Sequence, residues 1–341
     1  MTRLLPIGLA ILSLAACGGG ASDAPVEDKP VVLQDKGSDT MVNLMQRLSE
    51  EYSKTNPKVI VAVTGGGSGT GIKSLIDKTT DIANSSRAMK DEEKAQASAN
   101  GVTAFETEVA LDGLSIYVDK DNPITQISFE ELKCIFGSDG TCNHWKDVGV
   151  ALDCGNGDDT IVKVGRQNNS GTYEYFKEVV LGKEGKFTST MDQSGTQQVV
   201  DVVGTTKCAI GYGGMGYSSA TTRHVCLSKA KGEACIEPSE ANVLAGSYPF
   251  SRPLYVYTNG EPTGAAKDFI AWVLSPAATP TIVASGFVPL PVSGAAAPAD
   301  AAAAPAVEGA APAAAPAVEG AAPAAAPAEG AAPAAPAPAH P

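Results

Sequence analysis

An α/β protein of two lobes is the fold class this sequence predicts, and three observations carry the prediction. Strand-like and helical patterns alternate along the chain, as they do in layered α/β folds. Residues 31 to 293 number about 263, enough for a large core and usually for two lobes rather than one. Three strand-to-helix junctions are rich in Gly, Ser and Thr, the composition expected where ligands bind at the carboxyl ends of strands.

Val31 to Leu33 forms the first strand-like run, followed by Gly37-Ser38-Asp39-Thr40-Met41. Met41, Leu44, Met45, Leu48 and Tyr52 then fall on one face of a helix that ends before Pro57. Val59 to Val63 is the next strand. It enters Gly65-Gly66-Gly67-Ser68-Gly69-Thr70-Gly71, after which Ile72, Leu75 and Ile76 again take helical spacing. Asp81-Ile82 is strand-like and leads into Ala83-Asn84-Ser85-Ser86-Arg87. The third unit is a strand from Ile161 to Val164, a polar loop from Gly165 to Thr172, and a helix from Tyr173 to Val180 with Tyr173, Phe176 and Val180 inward.

Each junction offers unpaired backbone N–H groups and hydroxyl donors at the positive end of a helix dipole, where an anion binds without a formal positive charge. Small residues let the anion approach the backbone. The Gly-rich loop is not a nucleotide loop, because Ile72 stands where the phosphate-loop lysine belongs. It is not a dinucleotide loop either, since no glycine occupies the third position, and Thr70 breaks the pattern of a nucleophile elbow around Ser68. Arg87 and Arg166 accompany two of the polar loops, and a guanidinium fork fits a tetrahedral oxyanion.

Composition removes other functions. The whole chain carries a net charge of −13, and the 31–293 block remains acidic, so there is no basic footprint for nucleic acid. His144, His224 and His340 are the only histidines, which removes most triad chemistry and most zinc sites. No metal and no cofactor is expected. An enzyme such as a phosphatase would need a nucleophile with a base or paired metal ions, and neither histidine of the block sits in a recognisable motif near Ser68 or Ser170.

The ends are of a different kind. Arg3, the apolar run from Leu4 to Leu14 and the small residues after it form an export signal over residues 1–16, too short in its apolar part to span a bilayer. Leu14-Ala15-Ala16-Cys17 looks like a lipobox, which makes Cys17 a lipid-anchored residue on a membrane and residues 17–30 a tether; a chance cysteine after an ordinary signal is the alternative. Cys134, Cys142, Cys154, Cys208, Cys226 and Cys235 remain, an even number in an exported chain, and 15 pairings are open to six cysteines. The close spacing of 134 with 142 and of 226 with 235 suggests two local disulfides and leaves 154 for 208. Residues 294–341 hold two identical eleven-residue units, Ala306 to Pro316 and Ala317 to Pro327, and read as an extended, disordered Ala/Pro-rich tail.

Taken together, Gly37-Ser38-Asp39-Thr40, Gly67-Ser68-Gly69-Thr70-Gly71, Asp81-Ile82-Ala83-Asn84-Ser85-Ser86-Arg87, Asp112-Gly113-Leu114, Arg166 with Ser170-Gly171-Thr172, and Ala209-Ile210-Gly211-Tyr212 resemble the periplasmic phosphate-binding proteins of phosphate ABC transporters, the PstS-type receptors. The resemblance covers most of residues 31 to 290. It implies a two-lobe periplasmic binding protein fold with a hinge and an interlobe cleft, lobe 1 from 31–115 and 254–290 and lobe 2 from 116–253. It also implies inorganic phosphate as ligand, ABC transporter permease subunits as partners, and an exported protein, periplasmic or at the cell surface. By position, Ser38, Thr40, the Met41 amide, Ser68, Ser86, Arg87, Arg166, Ser170, Gly171 and Thr172 would contact phosphate. One position departs from many members: Ser86 stands where they carry an aspartate that accepts the proton of bound phosphate and rejects sulfate. Asp39, Asp81 or Asp112 would supply the acceptor instead, although Asp39 is expected to cap the following helix and Asp112 to fix a strand end. A general oxyanion-binding or sensing module is the alternative function.

Overall fold

The computed structural model describes residues 29–291; the expected export signal, Cys17, the tether up to residue 28 and the 294–341 tail lie outside the described residues. From the N-terminal side, β1 (Val31–Gly37), α1 (Val42–Ser53), β2 (Val59–Thr64), α2 (Ser68–Ile76) and β3 (Ile82–Ser85) form two consecutive strand-helix-strand units. β1 lies between β2 and β3 and is parallel to both, which requires crossover connections; α1 and α2 are those crossovers. α1 buries Leu44, Met45, Leu48 and Tyr52, the stripe its spacing predicts. α2 begins at Ser68, earlier than the apolar spacing from Ile72 implies, so half of the Gly-rich run is the first turn of the helix rather than loop.

After α3 (Asp91–Ala99) comes β4 (Ala104–Asp119), a 16-residue strand that joins two halves of the sheet. Its first part pairs antiparallel with β10 (Ser251–Asn259), which in turn pairs with β3. Its last part pairs antiparallel with β8 (Ala209–Gly214) and β9 (Thr222–Ser228). β8 lies beside β6 (Val162–Arg166), and β6 beside β7 (Met191–Gln193), both pairs parallel. β5 (Gln126–Ser128) pairs with β9 and leads into α4 (Phe129–Phe136). α5 (Gly171–Phe176) and a π-helical turn from Lys177 to Leu181 replace the single helix expected from Tyr173 to Val180. α6 (Thr196–Thr205), α7 (Glu240–Leu244), α8 (Gly264–Val273) and α9 (Thr279–Ala284) complete the described helices, none of them long and apolar enough to cross a membrane.

Helices cover both faces of the first sheet half. Tyr52 of α1 meets Phe269 of α8 edge to face at 5.3 Å, over a core that includes Leu33, Val61 and Ile82. On the other face Ile72, Leu75 and Ile76 of α2 pack with Ala83, Met89 and Val102. In the second half, Phe176 stacks on Tyr212 at 4.1 Å, near Phe136, Trp145 and Phe250. β3 and β8 are buried at every residue, as central strands covered on both faces must be. Three disulfides, Cys134–Cys142, Cys154–Cys208 and Cys226–Cys235, all lie in the 116–253 stretch, and the second closes a loop of 54 residues onto the start of β8.

Within this core one carboxyl is out of place. Asp35, on the inward face of β1 with Leu33, is 1% exposed, and neither of its oxygens nor the Asn84 amide has a hydrogen-bond partner. Burial pushes the Asp35 carboxyl up to about 7, and the neighbouring Asn84 side chain draws it partly back. The unfolded chain releases this proton near the ordinary carboxylate value, so the stability contributed by neutral Asp35 is fully present at acid pH and is lost as pH rises toward about 7 and beyond. Asp35→Asn keeps the volume and removes the ionisation. In denaturant melts the variant should gain on the wild type between pH 5 and pH 8, by about 2–3 kcal/mol; an equal difference at the two pH values would show that the Asp35 carboxyl has the same proton affinity in the fold as in the unfolded chain.

Candidate functional site

Four chain reversals meet where the parallel strands end. β1 runs into Ser38-Asp39-Thr40, β2 into Gly65-Gly66-Gly67-Ser68, β3 into Ser86, and β6 into Arg166 and the loop to Ser170. Ser38, Thr40, Ser68, Ser86, Arg166, Ser170 and Thr172 are all buried, each no more than 2% exposed. Thr40 Oγ1 lies 2.8 Å from Thr172 Oγ1 across the two sheet halves, and within the first half Ser68 Oγ lies 3.3 Å from Ser86 Oγ. Gly171 completes the contact. A Cβ added to it would fall 2.4 Å from Ser68 Oγ and 2.6 Å from Ser86 Oγ, so only glycine lets α5 approach this closely.

The hydroxyls are oriented. Ser170 caps α5, its Oγ accepting from the N–H groups of Thr172 and Tyr173 at 3.1 and 3.4 Å. Ser68 Oγ accepts from the Ser86 N–H at 3.1 Å. Thr196 Oγ1 accepts from Arg166 Nη1 at 3.0 Å, and Thr172 Oγ1 from Arg252 Nη2 at 3.0 Å. A hydroxyl has one proton; with an N–H filling a lone pair, that proton is left to give to another acceptor. Ser68, Ser170, Thr172 and Thr196 therefore each have a proton to offer an acceptor.

Arg166 is the charge at its centre. It is 0% exposed, donates Nη2 to the Ser194 carbonyl at 3.0 Å and to Asp39 Oδ2 at 3.4 Å, and leaves Nε without a partner. Burial lowers its proton affinity from the ordinary arginine value, and the Asp39 carboxylate opposes that shift.

Several expected roles differ. Arg87 does not point a free guanidinium at the cluster: Glu93 grips it through both carboxylate oxygens at 2.6 and 2.8 Å. The reason is local, since Glu93 also accepts from the Lys90 N–H at the start of α3 and is thereby fixed beside Arg87. The Met41 N–H is used within the turn, donating to the Ser38 carbonyl at 2.9 Å, and the Met41 side chain belongs to the core. Asp39 does not cap α1; its Oδ1 accepts from the Gly66 N–H at 2.8 Å, pinning the Gly-rich loop. Asp112 is not at a strand end but inside β4, fully buried against Arg252. Asp81 accepts from the Gln34 N–H at the opposite end of β3. Away from the cluster, Asp158 and Asp159 lie beside His144, where the sequence shows no neighbour at helical spacing, and Lys146 already pairs with Asp159.

Two contributors escaped the sequence reading. Thr196 follows Ser194-Gly195 at the start of α6, a fourth junction of the same composition as the other three, so the signal was present. Arg252 lies inside a strand and gives no local signal.

Contacts at the rim tie the halves together. Asn169 donates Nδ2 to the Gly66 carbonyl at 2.9 Å and to Thr70 Oγ1 at 3.3 Å, while its own carbonyl accepts from the Gly69 N–H at 3.0 Å. Gly67, at φ 91°, leaves room for this: a Cβ there would meet the Asn169 carbonyl oxygen at 2.7 Å. Lys90 pairs with Glu174 at 3.0 Å, and the Tyr217 hydroxyl reaches the Asp39 and Thr40 carbonyls. Asn169→Ala removes the side-chain bridge and keeps the main-chain bond. With about 1 kcal/mol at stake, calorimetric titration should show anion affinity reduced roughly fivefold at an unchanged melting temperature; unchanged affinity would mean the bridge does not favour the closed arrangement.

Comparison with known proteins finds relatives along most of the chain. The profile of a PBP superfamily domain matches residues 24–277. The phosphate-binding protein PstS of Pseudomonas aeruginosa is 35% identical over 304 residues, covering 83% of this chain and 94% of that protein. PstS of Staphylococcus saprophyticus is 33% identical, covering 84% and 88%. Among solved structures, a phosphate ABC transporter substrate-binding protein with bound phosphate from Clostridium perfringens superposes with a TM-score of 0.67 at 27% identity, over 76% of this chain and all of that one. An ABC-type phosphate transport receptor from Vibrio cholerae gives 0.60 at 27% identity, also over 76% of this chain and all of that one. With its buried cluster of hydroxyls around an arginine and these relatives along most of its length, the chain belongs to the PBP superfamily and, within it, to the PstS phosphate-binding proteins.

Proposed function

We propose that the protein binds inorganic phosphate outside the cytoplasm and delivers it to the permease of an ABC transporter, held to a membrane through a lipid on Cys17. The observation that carries the binding part is the unpartnered Nε of fully buried Arg166, set beside the Ser68, Ser170, Thr172 and Thr196 hydroxyls, each of which already accepts an N–H. An oxyanion entering there meets donors that need no reorientation. The set that would hold it is Ser38, Thr40, Ser68, Ser86, Arg166, Ser170, Gly171 and Thr172. Binding would close lobe 1 (31–115 and 254–290) on lobe 2 (116–253) by rotation about β4 and β10, the strands that run between them. The closed form is the surface a permease would read.

A catalytic role is disfavoured by chemistry. Ser115 Oγ lies 2.6 Å from His224 Nδ1, but Ser115 is a fully buried residue of β4 with His224 on the paired strand β9, and burial lowers the His224 pKa. That pair does not involve Ser68 or Ser170. A second reading, a general oxyanion module, draws on Ser86: a hydroxyl replaces the carboxylate that many relatives carry, and the nearby carboxylates Asp39 and Asp112 are both paired to arginines.

Calorimetric titration of the tail-free, anion-stripped protein with phosphate and with sulfate, at about pH 6 and pH 8.5, separates the readings. One-to-one phosphate binding without sulfate heat is the expected result; equal binding of both anions transfers the site to the general reading, and binding of neither removes both. Arg166→Met should weaken phosphate at least about 100-fold, since it removes charge-assisted hydrogen bonds in a buried site. Arg87→Met, whose guanidinium is occupied by Glu93, should cost less than about tenfold. Reversal of that order would return Arg87 to the ligand.

A further inference from the structure

Arg252 and Asp112 form a second buried ion pair beside the anion cluster. They face each other across β10 and β4, 3% and 0% exposed, one residue from the point where the β4–β10 register reaches its end at Ser251 and Gly113. Arg252 Nη2 and Nε both reach Asp112 Oδ2, at 2.9 and 3.2 Å, and the guanidinium lies 5.3 Å from the centre of the Tyr175 ring. The pair does not stop at itself. Nη2 also donates to Thr172 Oγ1 at 3.0 Å, and Nη1 to the Gly171 carbonyl at 3.4 Å. One planar fork, seated on the strands that join the two sheet halves, thus holds the first turn of α5.

We propose that Arg252 is a positioning residue for anion binding, acting through the Thr172 hydroxyl, with Asp112 fixing the guanidinium; the inference rests on the phosphate reading above. A buried threonine hydroxyl beside Thr40 Oγ1, at 2.8 Å, can turn its single proton toward or away from that neighbour. An N–H from Arg252 on one lone pair removes the freedom to accept there and directs the Thr172 proton away from the guanidinium, toward Thr40 and the anion cluster. The bond to the Gly171 carbonyl fixes the Gly171–Thr172 peptide at the same time. Arg252 supplies what the sequence suggested for Arg87, a second arginine at the site, but it acts on the ligand at one remove. Lysine cannot replace it, because an ammonium has no fixed fork with which to reach Asp112, Thr172 and Gly171 together.

A double-mutant cycle tests this. Arg252→Lys keeps the charge beside Asp112, and Thr172→Val removes the hydroxyl at nearly constant shape. Phosphate affinity, by calorimetry, should fall at least about tenfold on Arg252→Lys in the wild-type background and less than about twofold in the Thr172→Val background. The losses of melting temperature from Arg252→Lys in the two backgrounds should differ by no more than the one Arg252–Thr172 hydrogen bond accounts for, a few degrees at most, which separates positioning from packing. Thr172→Ser, which restores the hydroxyl, should restore the sensitivity to Arg252→Lys. Should Arg252→Lys fail to fold, Asp112→Asn, which loosens the guanidinium without removing it, should follow the same pattern. An affinity loss undiminished by Thr172→Val, or no loss in the wild-type background, overturns the proposal alone; a wild type that binds no phosphate overturns the phosphate reading and takes the proposal with it.

Discussion

Taking a guanidinium out of water is costly unless its N–H groups are met, and the arrangement around Arg166 follows from that requirement. Thr196, the Ser194 carbonyl and Asp39 answer three of its hydrogen bonds, and Nε is unanswered. Two of those partners have a second duty. Asp39 also holds the Gly66 N–H, so the Gly-rich loop is tied to the charge. Thr196, with its lone pair taken by Arg166, lies 3.5 Å from Thr40. Arg166 Nε is left without an acceptor, and a tetrahedral oxyanion is a ligand whose geometry supplies acceptors in several directions at once.

Architecture explains why these donors converge. Parallel strands place their carboxyl ends on one edge, and each following helix begins there, so a junction delivers its hydroxyl and its N–H groups to the same place whatever its position in sequence. Four junctions from β1, β2, β6 and β7, with the end of β3, do this, and Gly171 keeps the gap between the halves small enough for Ser68, Ser86 and α5 to meet. The acidic surface does not oppose the arrangement. Surface charges are screened within ~8 Å at physiological salt, whereas the donors act at contact distance in a buried site.

What the sequence revealed and what it hid divide along one physical line. Junction chemistry is local, so the polar runs at Gly37 to Met41, Gly65 to Gly71 and Gly165 to Thr172 were legible from composition and spacing, while the individual residues within them came from the resemblance; Ser194-Gly195-Thr196 is a run of the same kind. The α1 stripe was legible because helical period is local as well. Pairings between distant residues were not: Arg252 and Asp112 are 140 positions apart, and nothing in the text of either strand announces the other. The roles of Asp39 and Asp112 were misjudged for the same reason. Capping and strand ends are the local uses of an aspartate, and both residues are used at long range instead. Asp35 escaped notice because a short strand run does not show which of its polar residues turns inward.

The contrast between Arg87 and Arg252 shows how folding assigns a role that residue type leaves open. Arg87 stands in a Ser-Ser-Arg run at the end of β3, beside the cluster, where a free guanidinium would contact an anion. Glu93, six residues on, reaches it from the first turn of α3, and the helix start that satisfies the Lys90 N–H through the same carboxylate sets Glu93 in position. Closing a loop of six residues costs little entropy, so little opposes this pair. Arg252 has no such neighbour. Its carboxylate partner is reached only when β10 pairs with β4, and that pairing also delivers the guanidinium to Thr172. An arginine paired six residues along its own chain segment uses both Nη groups there, whereas one paired across the joining strands keeps an N–H for the first turn of α5.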